Sequence, residues 1–177
     1  MGSRRNHHYL AASSSNSLRT GNSSGELHNN SHIGLIMTDL ATQGSMPQIL
    51  AAQAMMATMP QVEGKTEHYH LDGVYVRSLF IPKGSLLTGK IHNYESIGIL
   101  AQGTMRITNG SMAGVISAPY IVVDKPGIKR MGYAETDCTF INVMRSDAKT
   151  LEELEDELVS STFEEYELKT QKLITGK

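Results

Sequence analysis

The chain has one cysteine, no tryptophan, five prolines and three phenylalanines in 177 residues. A single thiol, Cys138, excludes an intrachain disulfide framework and a cysteine-cluster zinc site, so a reducing compartment is the default. No stretch approaches the run of about 18 apolar residues that marks a membrane helix, so no span is expected. The N-terminus carries Arg4, Arg5, His7 and His8 without an apolar segment behind them, unlike a signal peptide. Sixteen Lys and Arg against 18 Asp and Glu give a net charge of −2, which makes no global electrostatic case for nucleic acid. The glycines form no phosphate-binding or dinucleotide fingerprint, and no serine sits in a nucleophile elbow. Apolar residues make up only 40% and aromatics 6%, a deficit that is uneven along the chain.

What is present divides into four pieces. Residues 1–32 form a low-complexity polar arm, with thirteen Ser or Asn among the 32. Such a stretch buries too little surface to offset its ordering entropy, so alone in water it is expected to be disordered. Its Arg4, Arg5 and Arg19 are candidates for partner contacts. They are too few for nucleic acid to be an expected partner.

Residues 33–66 are a linker with an apolar run, Ile33 to Met37, and a Met/Ala-rich helix in SMPQILAAQAMMATMP. Ser45 can cap that helix, Pro47 suits its first turn, and Pro60 closes the segment. Ile49, Ala52, Met56 and Met59 share one face at helical spacing, with Met55 beside it. Methionines adapt to irregular surfaces, so Met55, Met56 and Met59 either dock on this protein's own core or bind a partner.

Residues 67–146 read as all-β. VYVRSLFI, SLLTGKIH, SIGILA, TMRIT, GVISA, YIVVD and TFINVM are short strand-like runs separated by Pro82-Lys83-Gly84, Gln102-Gly103, Asn109-Gly110 and Pro126-Gly127. That spacing predicts a sandwich or barrel, and Asn-Gly predicts a hairpin. Cys138 falls at a core position. The core is small, so association into a homo-oligomer, dimer or trimer, is expected to supplement it. Residues 147–177 are helical and acidic, with nine Asp or Glu against four Lys. Thr150 with Glu153 makes a capping box, and Leu151, Leu154 and Leu158 form a stripe. Ser161 or Thr162 recaps a second helix with Glu164 or Glu165. The helices either close one side of the barrel or mediate assembly.

Two stretches, PKGSLLTGKIHNYESIGILAQGTMRI at 82–107 and APYIVVDKPGIKRMGYAETDCTFINV at 118–143, together resemble the cupin superfamily. Within it they are similar to small cupin-like proteins of tailed bacteriophages, over residues 70–160. The resemblance implies a double-stranded jelly roll carrying the arm, the Met/Ala-rich helix and the acidic helical segment. It also implies a phage origin, with manufacture in the bacterial host cytoplasm and residence in the virion.

Cupin metals take two histidines and a glutamate from the first motif and a histidine from the second. Here Lys90 replaces the first histidine and Arg130 the last, and Ser96 occupies the carboxylate position. Glu95 is one residue off, on the opposite face. Only His92 matches, and two cations repel a metal, so no metal and no cofactor is expected. Lys90, His92 and Arg130, with Glu95 and Tyr133 as further candidates, could instead hold a carboxylate or phosphate. They could equally form a salt-bridge network with Glu95, Asp124, Glu135 or Asp137. His68 and His70 alternate on one strand and with His92 could make a three-histidine site, or simply be structural.

With no catalytic constellation, the expected function is a non-enzymatic virion-associated structural or assembly protein: capsid decoration, cement, or a fibre or tail-attachment subunit. It would contact other virion proteins through the arm. The alternative is a small-molecule- or metal-binding cupin, an enzyme among its forms, acting in the infected cell.

Overall fold

A computed structural model describes residues 9–12, 45–62, 64–109 and 112–175. Arg4, Arg5 and Arg19 lie outside the described residues. The elements run β1 (Tyr9–Ala12), α1 (Met46–Met56), β2 (Lys65–Leu71), β3 (Val74–Ile81), β4 (Ser85–Thr88), β5 (Ile91–His92), β6 (Ser96–Gln102) and β7 (Thr104–Thr108). They continue with β8 (Ala113–Ser117), β9 (Tyr120–Asp124), β10 (Met131–Ala134), β11 (Cys138–Arg145), α2 (Leu151–Leu158), β12 (Val159–Ser160) and α3 (Phe163–Thr175).

Two antiparallel sheets face each other. The first has the order β1-β4-β10-β7-β8 and the second β2-β3-β11-β6-β9, while β5 pairs with β12 alone. Leaving aside β1, β2 and the β5–β12 pair, eight strands remain, and the chain passes repeatedly between sheets so that late strands insert between early ones. This is the double Greek key of a jelly roll. The fold is therefore all-β and cupin-like, as the two motifs imply. Between the sheets Leu79, Ile81, Leu100, Met105, Ile107 and Cys138 form the core, with Cys138 fully buried as expected.

The strands follow from alternation. In β3 the side chains of Tyr75, Leu79 and Ile81 are buried and Phe80 is exposed. In β11 Cys138, Asn142 and Met144 are buried while Arg145 is exposed. The Pro126-Gly127 turn is closed by a bond from the Gly127 N–H to the His92 carbonyl, 2.8 Å. Gly127 sits at φ +80°, and a Cβ there would meet the Tyr166 hydroxyl at 3.2 Å, so both backbone and packing favour glycine.

Three expectations about the flanking pieces meet the structure. Within the polar arm, Tyr9–Ala12 pair antiparallel with β4, Tyr9 opposite Thr88 and Ala12 opposite Ser85. Ladder hydrogen bonds at a sheet edge supply what composition does not. The Met/Ala-rich helix docks on this protein's own sheet. Ile49, Ala52, Met56 and Met59 are buried against Leu86 and Met131, with Met55 and Tyr133 packed at the margin. The reading of Met55, Met56 and Met59 as partner-binding residues is corrected accordingly, because the outer face of the first sheet already occupies that stripe. Burying each such side chain contributes about 1.5–3 kcal/mol. The C-terminal helices cap as predicted, Thr150 accepting from the Glu153 N–H and Thr162 from the Glu165 N–H. Leu154 and Leu158 then close one end of the barrel against Tyr75 and Met144.

Candidate functional site

A cavity of about 60 Å³ opens at the barrel end beside α2. Its walls include Arg77, Lys90, His92, Asp124, Arg130 and Asn142 on the polar side, and Leu87, Met105 and Ile107 on the apolar side. That is room for a few waters or a small organic group.

The second sheet builds the polar wall by register. Arg77 on β3 lies opposite Asn142 on β11, and Asn142 lies opposite Gly98 on β6. One cross-strand neighbour of Arg77 thus becomes its hydrogen-bond partner: the guanidinium donates to Asn142 Oδ1 at 3.0 Å. Further along, Ser96 lies opposite Asp124. Gly98 leaves the space that Arg130 fills, since a Cβ there would sit 3.3 Å from an Arg130 terminal nitrogen.

Lys90, His92 and Arg130 converge on the cavity, as predicted from the two motifs. Two of the three are neutralised. Arg130 grips Asp124 with both terminal nitrogens, one of them at 2.8 Å, and Asp124 is only 1% exposed. Burial raises the Asp124 carboxyl above its ordinary range, against the opposing pull of Arg130. Lys90 reaches Glu155 on α2 at 2.6 Å, which ties the acidic helix to the cavity mouth. His92 shares a hydrogen bond with Ser96 through Nδ1, 2.9 Å. Burial, together with the positive charges of Arg77 and Arg130, holds its imidazole down at about 4, so it is neutral near pH 7.

Two candidates lie elsewhere. Glu95 is exposed and pairs with Lys125 at 2.5 Å on the outside of the barrel, because the pleat turns it away from Ser96. Tyr133 points out of the first sheet and packs under α1. Of the proposed acidic partners, only Asp124 is inside. Glu135 pairs with Arg106, and Asp137 accepts from the Lys83 backbone N–H at 2.8 Å.

The cupin metal does not fit the residues present. The ligand positions hold an ammonium engaged by Glu155, an imidazole flanked by two guanidinium groups, a serine and an arginine, a set that repels a divalent cation. The three-histidine reading also fails on geometry. His68 Nδ1 is 2.7 Å from the Tyr75 hydroxyl and the His70 ring tilts against the same tyrosine at 5.4 Å, turning both toward Tyr75. Among the described residues no three His, Cys, Asp or Glu side chains are grouped to hold a metal.

Arg77 and Asn142 were missed by sequence reasoning. VYVRSLFI reads as a strand with apolar residues on both faces, so period-two alternation does not say which way Arg77 points. Its side chain turns inward, its Nε is buried without a partner, and burial lowers its pKa from the ordinary value. Lys129 was missed too. It is 2% exposed, donates to the Gly89 carbonyl at 2.6 Å, and burial lowers it to about 8.

No family model matches the chain, and no curated protein sequence matches it. Among solved structures it is similar to an RmlC-like cupin family protein with a double-stranded β-helix fold from Methanocaldococcus jannaschii: 16% identity, 47% of this chain and 80% of that one, TM-score 0.42. It is similar to KdgF from Halomonas sp. at 15% identity, over 50% of this chain and 87% of that one, TM-score 0.43. It is also similar to an acetylacetone dioxygenase from Acinetobacter johnsonii at 16% identity, over 45% of this chain and 58% of that one, TM-score 0.39. By its strand order the body of this chain is a double-sheet jelly roll.

Proposed function

We propose that the barrel is a metal-free binding site for a small organic anion, a carboxylate or phosphate ester, held by Arg77 and Asn142 with neutral His92 beside them. The observation that carries this reading is the charge balance of the wall. Three cations, Arg77, Lys90 and Arg130, meet two carboxylates, Asp124 and Glu155, and the cation left over is Arg77. Burying a charge without a counter-ion is costly, and an anionic ligand removes that cost. A guanidinium fork suits two oxygens of one ligand, Asn142 keeps the fork oriented, and the imidazole Nε2 can donate or accept as its tautomer allows. The apolar wall of Leu87, Met105 and Ile107 fits a short hydrocarbon part.

Calorimetric titration of the full chain with acetate, pyruvate, succinate and inorganic phosphate tests the reading. Binding is expected for at least one probe, weakened about 10–100-fold in Arg77→Met. No heat from any probe at ~10 mM would overturn it.

A second reading is the non-enzymatic virion subunit of a tailed phage, contacting other virion proteins through the arm. What supports it is the first strand of the arm, added to the edge of the barrel as assembly arms do when they lace subunits together. Mass spectrometry of purified particles checks it. A fixed copy number relative to the major capsid protein is expected, and absence from particles would discard it. A cupin-type enzyme is the weaker alternative, since the one carboxylate lining the cavity, Asp124, is committed to Arg130.

A further inference from the structure

Arg77 lines two hollows. One is the barrel cavity, which it shares with Lys90, and the other is a recess of about 20 Å³ under α2, which it shares with Glu155. The Lys90–Glu155 ion pair, 2.6 Å, thus links the rim of one hollow to the rim of the other.

Glu155 comes to Lys90 from 65 residues along the chain, and α2 is docked so as to hold it there. The capping box of Thr150 and Glu153 fixes the start of the helix. Leu154 and Leu158, on either side of Glu155 in sequence, are 3% and 4% exposed against Tyr75 and Met144. The Asn93 side-chain amide donates to the Glu157 carbonyl at 2.8 Å and fixes the last turn. Glu152, Glu153 and Asp156 are exposed, and the Glu157 carboxylate takes the Ser146 hydroxyl. Glu155 is the acidic residue of α2 that meets a cavity cation. A carboxylate presented by a docked helix gives up less freedom in pairing than one on a loose surface side chain.

We propose that Glu155 sets the charge of the anion this site accepts: by cancelling Lys90 it admits short-chain monocarboxylates and turns dicarboxylates away. The inference rests on the reading of the barrel as an anion site at Arg77. With Arg130 held by Asp124 and Lys90 by Glu155, one positive charge remains for a ligand. A monocarboxylate on Arg77 matches that charge, with its hydrocarbon end against Leu87, Met105 and Ile107. A dicarboxylate brings a second charge into a cavity whose other cations are already paired. That second carboxylate meets either the apolar wall or the carboxylates of Asp124 and Glu155, and both cost binding. Specificity of this kind comes from a repulsive group as much as from an attractive one. Without the charge of Glu155, Lys90 becomes a second anchor, an ammonium on a flexible stem that can follow the far end of a ligand.

Calorimetric titration of the full chain with succinate and with monomethyl succinate, near neutral pH and at low ionic strength, tests this. The two probes share one carbon chain and differ in the charge at one end. The unsubstituted protein is expected to bind the monoester at least about 10-fold more tightly than succinate. Glu155→Gln is expected to shift that ratio about 10-fold toward succinate, and Lys90→Met added to it is expected to remove the gain. A pair that only pinned α2 would move the urea midpoint and leave the ratio where it was. Succinate bound as tightly as its monoester by the unsubstituted protein overturns the inference, and so does a ratio that Glu155→Gln leaves unchanged. Should Glu155→Gln fail to fold, the ratio in the unsubstituted protein decides. Heat from neither probe, nor from acetate, overturns the anion reading and this inference with it. Equal binding of both probes overturns this inference alone.

Discussion

The first sheet turns Leu87, Met105 and Ile107 into the barrel and packs α1 on the β4–β10 part of its outer face, whereas the second turns Arg77, Asn142 and Asp124 inward and leaves Ile97, Ile121 and Val123 in solvent. Within one barrel the second sheet reverses the usual polarity at the cavity end. Its inner face keeps a cation that wants an anion, and its outer face keeps hydrocarbon that wants a cover. Both departures cost stability in the isolated chain, and features kept at a cost are where function is to be sought.

The sharpest way to break this contrast is inside the second sheet. Asp124→Asn strips Arg130 of its counter-ion in a buried place, and urea unfolding is expected to show a loss of about 3–5 kcal/mol. Across the barrel, Met56→Ala opens a cavity under α1 and is expected to cost about 2–5 kcal/mol. Val123→Ala on the bare face of the second sheet is expected to change monomer stability by less than ~0.5 kcal/mol. Equal costs for the two substitutions would show that the second face is covered within the monomer.

Acid comes next in size. The folded state holds His92 at about 4 and the unfolded chain near 6.5, so the unfolded chain binds the extra proton between those values. Stability from this group is complete above pH 6.5 and falls as the pH drops toward 4, by up to ~3 kcal/mol. His92→Gln is expected to flatten that part of the pH profile of urea midpoints. Arg77→Met removes an unpaired buried charge and is expected to raise the melting temperature by several degrees while it weakens anion binding. Glu155→Gln is expected to cost little, below ~1 kcal/mol, because the Lys90 pair is partly exposed and Leu154 and Leu158 still anchor α2.

Much of the barrel was legible because short strands with turn residues between them report themselves locally. β7 and β8 pair as the hairpin expected there, with the Asn109 N–H bonded to the Met112 carbonyl, and Pro126-Gly127 shapes the loop that brings Arg130 toward His92. The caps at Thr150 and Thr162 are equally local, resting on residues three apart. The placing of Lys90, Ser96 and Arg130 at the motif's ligand positions was legible too, from spacing alone.

Less local matters were not legible. Whether Met56 meets a partner or its own sheet depends on Leu86 and Met131, which lie 30 and 75 residues on. Tyr9–Ala12 join a sheet because β4 offers a free edge, and no composition rule reports an edge.

By itself, then, the sequence determined where strands and helices start and stop, and which side chains hold a cupin's ligand positions, because turn geometry, capping and motif spacing act over a few residues. Only the tertiary structure decided which face of each strand turns inward. Arg77 is turned inward against Asn142, 65 residues away, and Lys90 finds its counter-ion in Glu155 at the same separation. A strand with apolar residues on both sides has no inside until another sheet packs against it.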